Sequence, residues 1–168
     1  MQLEGVPKLS REQMHQILML YGWDTMEKII LNATFVSSSK LAFQNVAKGE
    51  IPIGLTSEFN VLQSKEEGFP VDAVYPVDGT ALIIDANGII KGGPNGAGAA
   101  KFLDYISSKP AHELLVSIDK RRSARTDVAP PPGLPPVASI KTVAYDTVAA
   151  ARDRQKLLER FDQVFSKK

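Results

Sequence analysis

Cysteine is absent from this 168-residue chain, which excludes disulfide staples, thiolate metal sites and cysteine nucleophiles while leaving both reducing and oxidising compartments open. Histidine is scarce. His15 and His112 stand far apart with no ligand spacing around them, so no imidazole zinc site is expected and both are read as surface or packing residues. Neither sign of charge is in surplus: 20 Lys and Arg oppose 19 Asp and Glu, and no long-range field draws nucleic acid or an anionic membrane to the protein. No apolar run approaches the roughly 18–20 residues of a membrane span. A basic segment leading into an apolar one is also missing from the first residues, so the chain as it stands is expected to be neither anchored nor exported. The stretch GGPNGAG (92–98) lacks both the Lys-Ser/Thr ending of a P-loop and the glycine order of a dinucleotide fingerprint, and reads as a flexible linker. With no Ser/His/Asp constellation and no nucleophile elbow, the chain is not expected to be an enzyme.

What is present suits one or two compact units with a core, since 43% of the residues are hydrophobic. Ser10 and Gln13 form a capping box, after which Met14, Ile17, Leu18 and Tyr21 fall on one helical face. Gly22 interrupts that stripe, and Trp23, Met26, Glu27 and Ile30 resume it, which predicts a kinked or split helix ending near Asn32. Ser38 or Ser39 is placed to cap a short helix over 40–48 that stops at Gly49. The apolar IPIGL (51–55) predicts a buried strand, 59–67 a helix stopped by Gly68, and VDAVYP (71–76) another strand before an Asp78-Gly79 turn. TALIIDANGII (80–90) reads as one bent strand or two short ones. Strands alternating with helices favour an α/β unit with a parallel or mixed sheet. Beyond the linker, Ala99, Phe102, Leu103 and Ile106 mark a helix, and Pro110 opens a further one through Ile118. Five prolines within 128–136 predict an extended strap with no core of its own. Asp146 caps a long final helix carrying Val148, Ala151, Leu158, Phe161 and Phe165.

Two places carry hydroxyls or carboxylates where a ligand is commonly held. Ser37, Ser38 and Ser39 sit at a helix start, whose free N–H groups and partial positive charge favour an anion; capping alone also explains them. Thr56, Ser57 and Glu58 follow the IPIGL segment, at the strand end where open α/β sheets place ligand contacts, although polar strand ends are common. The run DKRRSAR (119–125) is either a solvated loop or a partner for phosphate or carboxylate.

The ordered succession LYGWD, SSSK, VAKGEIPIGLTSEFN, KEEGFPVDAVYPVDGT, KFLDYISSK and RRSARTDVAPPPGLPPVASIK resembles the second half of the substrate-binding proteins of ABC importers, in the branch that includes ferric-iron and phosphonate binders. The resemblance implies a periplasmic-binding-protein-like lobe of three layers, a mixed sheet with flanking helices, joined to a mainly helical C-terminal part: an incomplete version of a two-lobed "Venus flytrap" protein. By that analogy residues 1–78 form the distal ligand-binding lobe, 79–93 the hinge-crossing strand and linker, and 94–168 the helical portion of the other lobe. Ser37, Ser38, Ser39, Thr56, Ser57 and Glu58 would then face the ligand cleft. The implied cargo is ferric iron, a metal chelate or a small organic anion, with no resident cofactor. The implied partners are an ABC permease and either the missing N-terminal lobe or a second copy of the chain, and the implied location is periplasmic or on the extracellular side. Iron binders of this branch present a tyrosine pair where this sequence has Phe59 and Asn60, which weighs against phenolate coordination of Fe³⁺ and leaves an organic anion, a phosphonate or a chelate as fitting at least as well. The rival is a stand-alone structural or regulatory interaction domain of the same fold without a transport role.

Overall fold

A computed structural model describes residues 11–168 and divides them into two compact units. The first unit comprises 11–56, 74–82 and 140–168; the second comprises 57–73 and 83–139. The expected capping box at Ser10 lies outside the described residues.

The first unit is organised by α1 (Arg11–Asn32) and α7 (Arg154–Phe165). Gly22 splits α1, with φ 71° and ψ −175°, a backbone region that residues with a Cβ avoid. The two halves re-aim their apolar stripes so that Met14, Met26 and Ile30 meet Leu157, Phe161 and Val164 of α7 in one buried cluster. The α7 positions 157, 161 and 164 recur at helical spacing, which puts all three on a single face. Phe35 adds its ring edge-on to Phe161 (centroids 5.7 Å) and to Phe165 (5.5 Å), and the last two stack at 6.0 Å. Polar contacts close the bundle: Arg160 donates to Glu27 at 3.0 Å, and the Lys168 ammonium donates to the carbonyls of Ile30 and Ala33 at the end of α1, where the helix dipole favours a cation.

The remaining elements of this unit are short. Helix α2 (Ser39–Ala47) is capped by Ser38 and terminated by Gly49 at φ 76°. Strands β1 (Thr80–Ala81) and β2 (Thr142–Val143) pair in parallel, Thr80 opposite Thr142 and Ala81 opposite Val143. Gly79 enters β1 at φ 117°, and a Cβ there would stand 2.8 Å from Val143 Cγ1, so both conformation and close approach require glycine. The preceding turn is tied to α1, because Gln16 donates to the Gly79 carbonyl at 3.1 Å and the Tyr21 hydroxyl donates to Asp78. That hydrogen bond raises the Tyr21 pKa above its ordinary value, and burial and the charge of Asp78 act in the same direction. The expected long C-terminal helix is broken at Asp153 into α6 (Thr147–Arg152) and α7. Asp146 caps α6 through the amides of Val148 and Ala149, both at 2.9 Å. Val148 is 76% exposed, so the apolar face begins only at Leu157.

The second unit holds α3 (Glu58–Glu66), α4 (Gly96–Ile106) and α5 (Lys109–Asp119), with a 3-10 turn at Val137–Ser139. Half of the expected Gly-rich linker is the first turn of α4, capped by Asn95 through the Gly98 amide at 2.8 Å. Ser108 caps α5, with Pro110 at its second position, where a missing N–H costs nothing. The proline strap is not coreless: Pro131 is fully buried, and Gly133, at φ 90°, brings its backbone against Leu62 of α3. Neither α4 nor α5 buries a residue.

The sheet is where expectation and structure part. Among the described residues β1 and β2 are the whole of it, and helices dominate. The segment 51–55 is not a buried strand, with Ile53 80% and Leu55 56% exposed. Residues 71–76 form no strand, and 82–90 form none beyond β1, leaving Ile84 and Ile90 exposed. A strand exists only where a second edge accepts its hydrogen bonds, and apolar alternation says nothing about whether such an edge is there.

Candidate functional site

Three of the expected ligand residues lie together at the start of α2. Ser38, half-buried, takes the N-cap position in extended backbone (φ −144°, ψ 152°), and its hydroxyl accepts the Leu41 amide at 3.3 Å. Ser37 precedes it, exposed, and Ser39 is the first helical residue. The first turn of α2 contains no acidic side chain, so no carboxylate of its own offsets the partial positive charge of this helix end. Gly54 packs against the same helix: a Cβ added there would meet Val46 Cγ2 at 2.8 Å and the Ala42 carbonyl oxygen at 3.5 Å. Two residues later, Thr56, half-buried, ends this stretch of the first unit.

Ser57 and Glu58 belong to the second unit, where they begin α3. Ser57 occupies the N-cap position without a side-chain capping bond. Glu58 makes a bidentate pair with Arg122: Nε donates to Oε2 at 2.7 Å and Nη2 to Oε1 at 3.0 Å. With side-chain exposures of 14% for Arg122 and 28% for Glu58, this is a partly desolvated, geometrically matched fork. Unlike α2, α3 therefore carries its own anion in its first turn, balanced by a guanidinium. The six expected residues accordingly divide between the two units, four in the first and two in the second.

The basic run 119–125 is the part of the second unit that sequence reasoning left open. It is a series of internal pairs: Lys120 with Glu66 at 2.7 Å, Arg121 with Asp85 at 3.3 Å, Arg122 with Glu58, and Arg125 with Asp127 at 2.8 Å. Arg121 also lies over the Phe59 ring, 4.0 Å from its centroid, an attraction of cation for aromatic face. His112 meets the Ser123 hydroxyl at 2.8 Å. The only sequence-level sign of this was the density of basic residues, because Glu58 and Arg122 are 64 positions apart.

Among the described residues no group of three or more His, Cys, Asp or Glu gathers where it would hold a metal ion, and no helix is long and apolar enough to cross a membrane. Tyr21 and Tyr145 serve local contacts, the first with Asp78 and the second edge-on to His15 at 5.2 Å.

Comparison with known proteins follows the same segments. Residues 19–144 match the family described as bacterial extracellular solute-binding protein. An uncharacterized protein of Haemophilus influenzae is 26% identical over 147 residues, a match that takes in 84% of this chain and 42% of that relative, so the chain spans less than half the relative's length. No solved structure matches the chain.

Proposed function

The chain belongs to the bacterial extracellular solute-binding protein family, and from that premise we propose that it serves as a substrate-binding component, or part of one, of an ABC importer. In this reading it captures a small polar ligand on the periplasmic or extracellular side and passes it to a membrane permease. Residues 79–93 act as the hinge-crossing segment; the chain's passage from the first unit into the second at Leu82–Ile83 is consistent with that role. Ser37, Ser38, Ser39 and Thr56 of the first unit, and Ser57 and Glu58 of the second, each serve as ligand contacts, and binding energy is gained as lobes close on the ligand.

The observation that carries the reading is the start of α2. A helix end with a serine cap, two neighbouring serines and no acidic residue in its first turn, with the 51–56 segment lodged against the same helix through Gly54, suits an anionic group. It favours an organic anion, a phosphonate or an anionic chelate over bare Fe³⁺, which wants several hard oxygen donors. Native mass spectrometry of protein isolated from its own cells without refolding, with metal analysis of the same sample, tests the cargo. With that cargo in hand, Ser38→Ala combined with Ser39→Ala should weaken binding by about tenfold or more, since hydrogen bonds to a charged ligand are worth about 1.5–3 kcal/mol each. Loss of the cap should lower stability by only about 1 kcal/mol. Unchanged affinity in titration calorimetry would remove the serine cluster from the site.

A second reading has its own support. Phe102, Tyr105, Leu114 and Ile118 are each more than half exposed on α4 and α5, an apolar surface that suits contact with an N-terminal lobe, a second copy or another partner chain. As a stand-alone interaction domain the protein would bind no small ligand. It would then gain no thermal stability from its cell's solutes, whereas a ligand of the native state raises the melting temperature by mass action.

A further inference from the structure

In the first unit a cleft of about 470 Å³ opens between α1 and α7, apart from every residue assigned above to ligand capture. Its walls are mainly apolar: Leu18 and Met19 from α1, Leu157 from α7, and the indole of Trp23. The volume is that of a small-molecule site. Its polar groups are unevenly committed. Asp153, the carboxylate lining the cleft, accepts from Arg152 through both oxygens at 3.1 Å. Arg160 is shared between Glu27 at 3.0 Å and the Trp23 ring, 4.2 Å from its centroid. Lys156 lines the cleft with no hydrogen bond or ion pair to a described residue; its charge acts on Asp153 only at longer range. His15 also lines it, with its ring held edge-on by Tyr145 and its Nδ1 buried without a hydrogen-bond partner.

A carboxylate already paired with an arginine and an ammonium paired with no described residue leave the cleft with a place for an anion. The apolar walls ask that the anion carry a hydrophobic body. We propose that the α1/α7 cleft is a second binding site, for a small carboxylate with an aliphatic or aromatic body. Leu18, Met19, Leu157 and Trp23 take up the body, and Lys156 meets the carboxylate. This site is independent of the transport reading, since it uses none of the same residues.

Trp23 is the single tryptophan of the chain and lines this cleft, so its emission reports occupancy there when the fold is intact. The experiment titrates octanoate into the full chain, with acetate, 1-octanol and octylammonium as controls for body and charge, and follows Trp23 fluorescence and the indole N–H resonance. Octanoate should give a saturable change at lower concentration than any control. Lys156→Gln should weaken octanoate about threefold to fivefold, the most that one exposed ion pair supplies, while leaving the response to 1-octanol and the unfolding midpoint unchanged. No saturable response at Trp23, equal affinity for octanoate and 1-octanol, or a Lys156→Gln titration that overlays the parent would each overturn the proposal.

Discussion

The pairing of Glu58 with Arg122 makes a quantitative claim about the second unit. The fork is bidentate at 2.7 and 3.0 Å and sits at 28% and 14% side-chain exposure, between the regime of exposed pairs, about 0.2–1 kcal/mol, and that of buried pairs whose breakage costs about 3–5 kcal/mol. Glu58→Gln removes the charge on the better-exposed partner, leaves the less exposed guanidinium with a neutral acceptor, and takes an anion from the first turn of α3. The charged hydrogen bond and the helix-end term together put the loss at about 1.5–3 kcal/mol. Arg122→Gln should cost less, about 1–2 kcal/mol, because the Glu58 carboxylate can rehydrate. The double substitution should recover about 1–2 kcal/mol relative to the sum of the singles. The assay is a double-mutant cycle on urea unfolding followed by circular dichroism, with hydrogen exchange of α3 amides to localise the change. Coupling below about 0.5 kcal/mol would mean that water screens the pair and that the partly desolvated fork has been overvalued. The cycle also separates two roles for Glu58: if its purpose is to position α3, Arg122→Gln reproduces its effect on ligand affinity, whereas a direct ligand contact is lost only with Glu58 itself.

Two further outcomes follow from the first unit and from the surface pairs. Phe161→Ala should destabilise by about 3–5 kcal/mol in urea unfolding followed by Trp23 emission, since the ring is 2% exposed and holds both Phe35 and Phe165; a cost below about 2 kcal/mol would show that the three rings repack. Asp72, Asp127 and Asp153 have pKa values held below the ordinary carboxylate range, chiefly by hydrogen bonds from Lys65, Arg125 and Arg152 respectively. A depressed folded-state pKa contributes stability above the unfolded value of about 3.9, lost as pH falls through the folded value. The urea midpoint should therefore hold from pH 7 to 5 and decline below about 4, with 0.5 M NaCl flattening the decline; a midpoint that rises on acidification would contradict the pairs.

Local punctuation was legible in the residues themselves. Gly22 as the break in α1, Ser38 and Asp146 as caps, and Gly49 and Gly68 as stops depend on the conformation of one residue and its nearest amides, which residue type controls directly. The apolar stripe of α1 follows from helical periodicity and holds for Met14, Ile17, Leu18, Trp23, Met26 and Ile30, while Tyr21 on the same stripe is exposed and bonded to Asp78. Of the stripe expected on the C-terminal helix, Leu158, Phe161 and Phe165 pack on the core, whereas Val148 and Ala151 fall in α6, ahead of the break at Asp153, and Val148 is exposed. Of the candidate site, the start of α2 was visible as a serine cluster. The engagement of Glu58 was not, because its partner lies 64 positions away among several equivalent basic residues.

By itself the sequence determined several helix caps and stops and which residues are apolar, since both follow from the chemistry of single side chains and their immediate neighbours. Tertiary structure alone decided which segments acquired a partner: Thr80–Ala81 found β2, while 51–55 and 82–90, the more apolar segments, found no strand to pair with. It likewise decided which arginine took which carboxylate. Both are outcomes of contacts between residues distant along the chain, and the energy of such a contact belongs to the pair, not to either member.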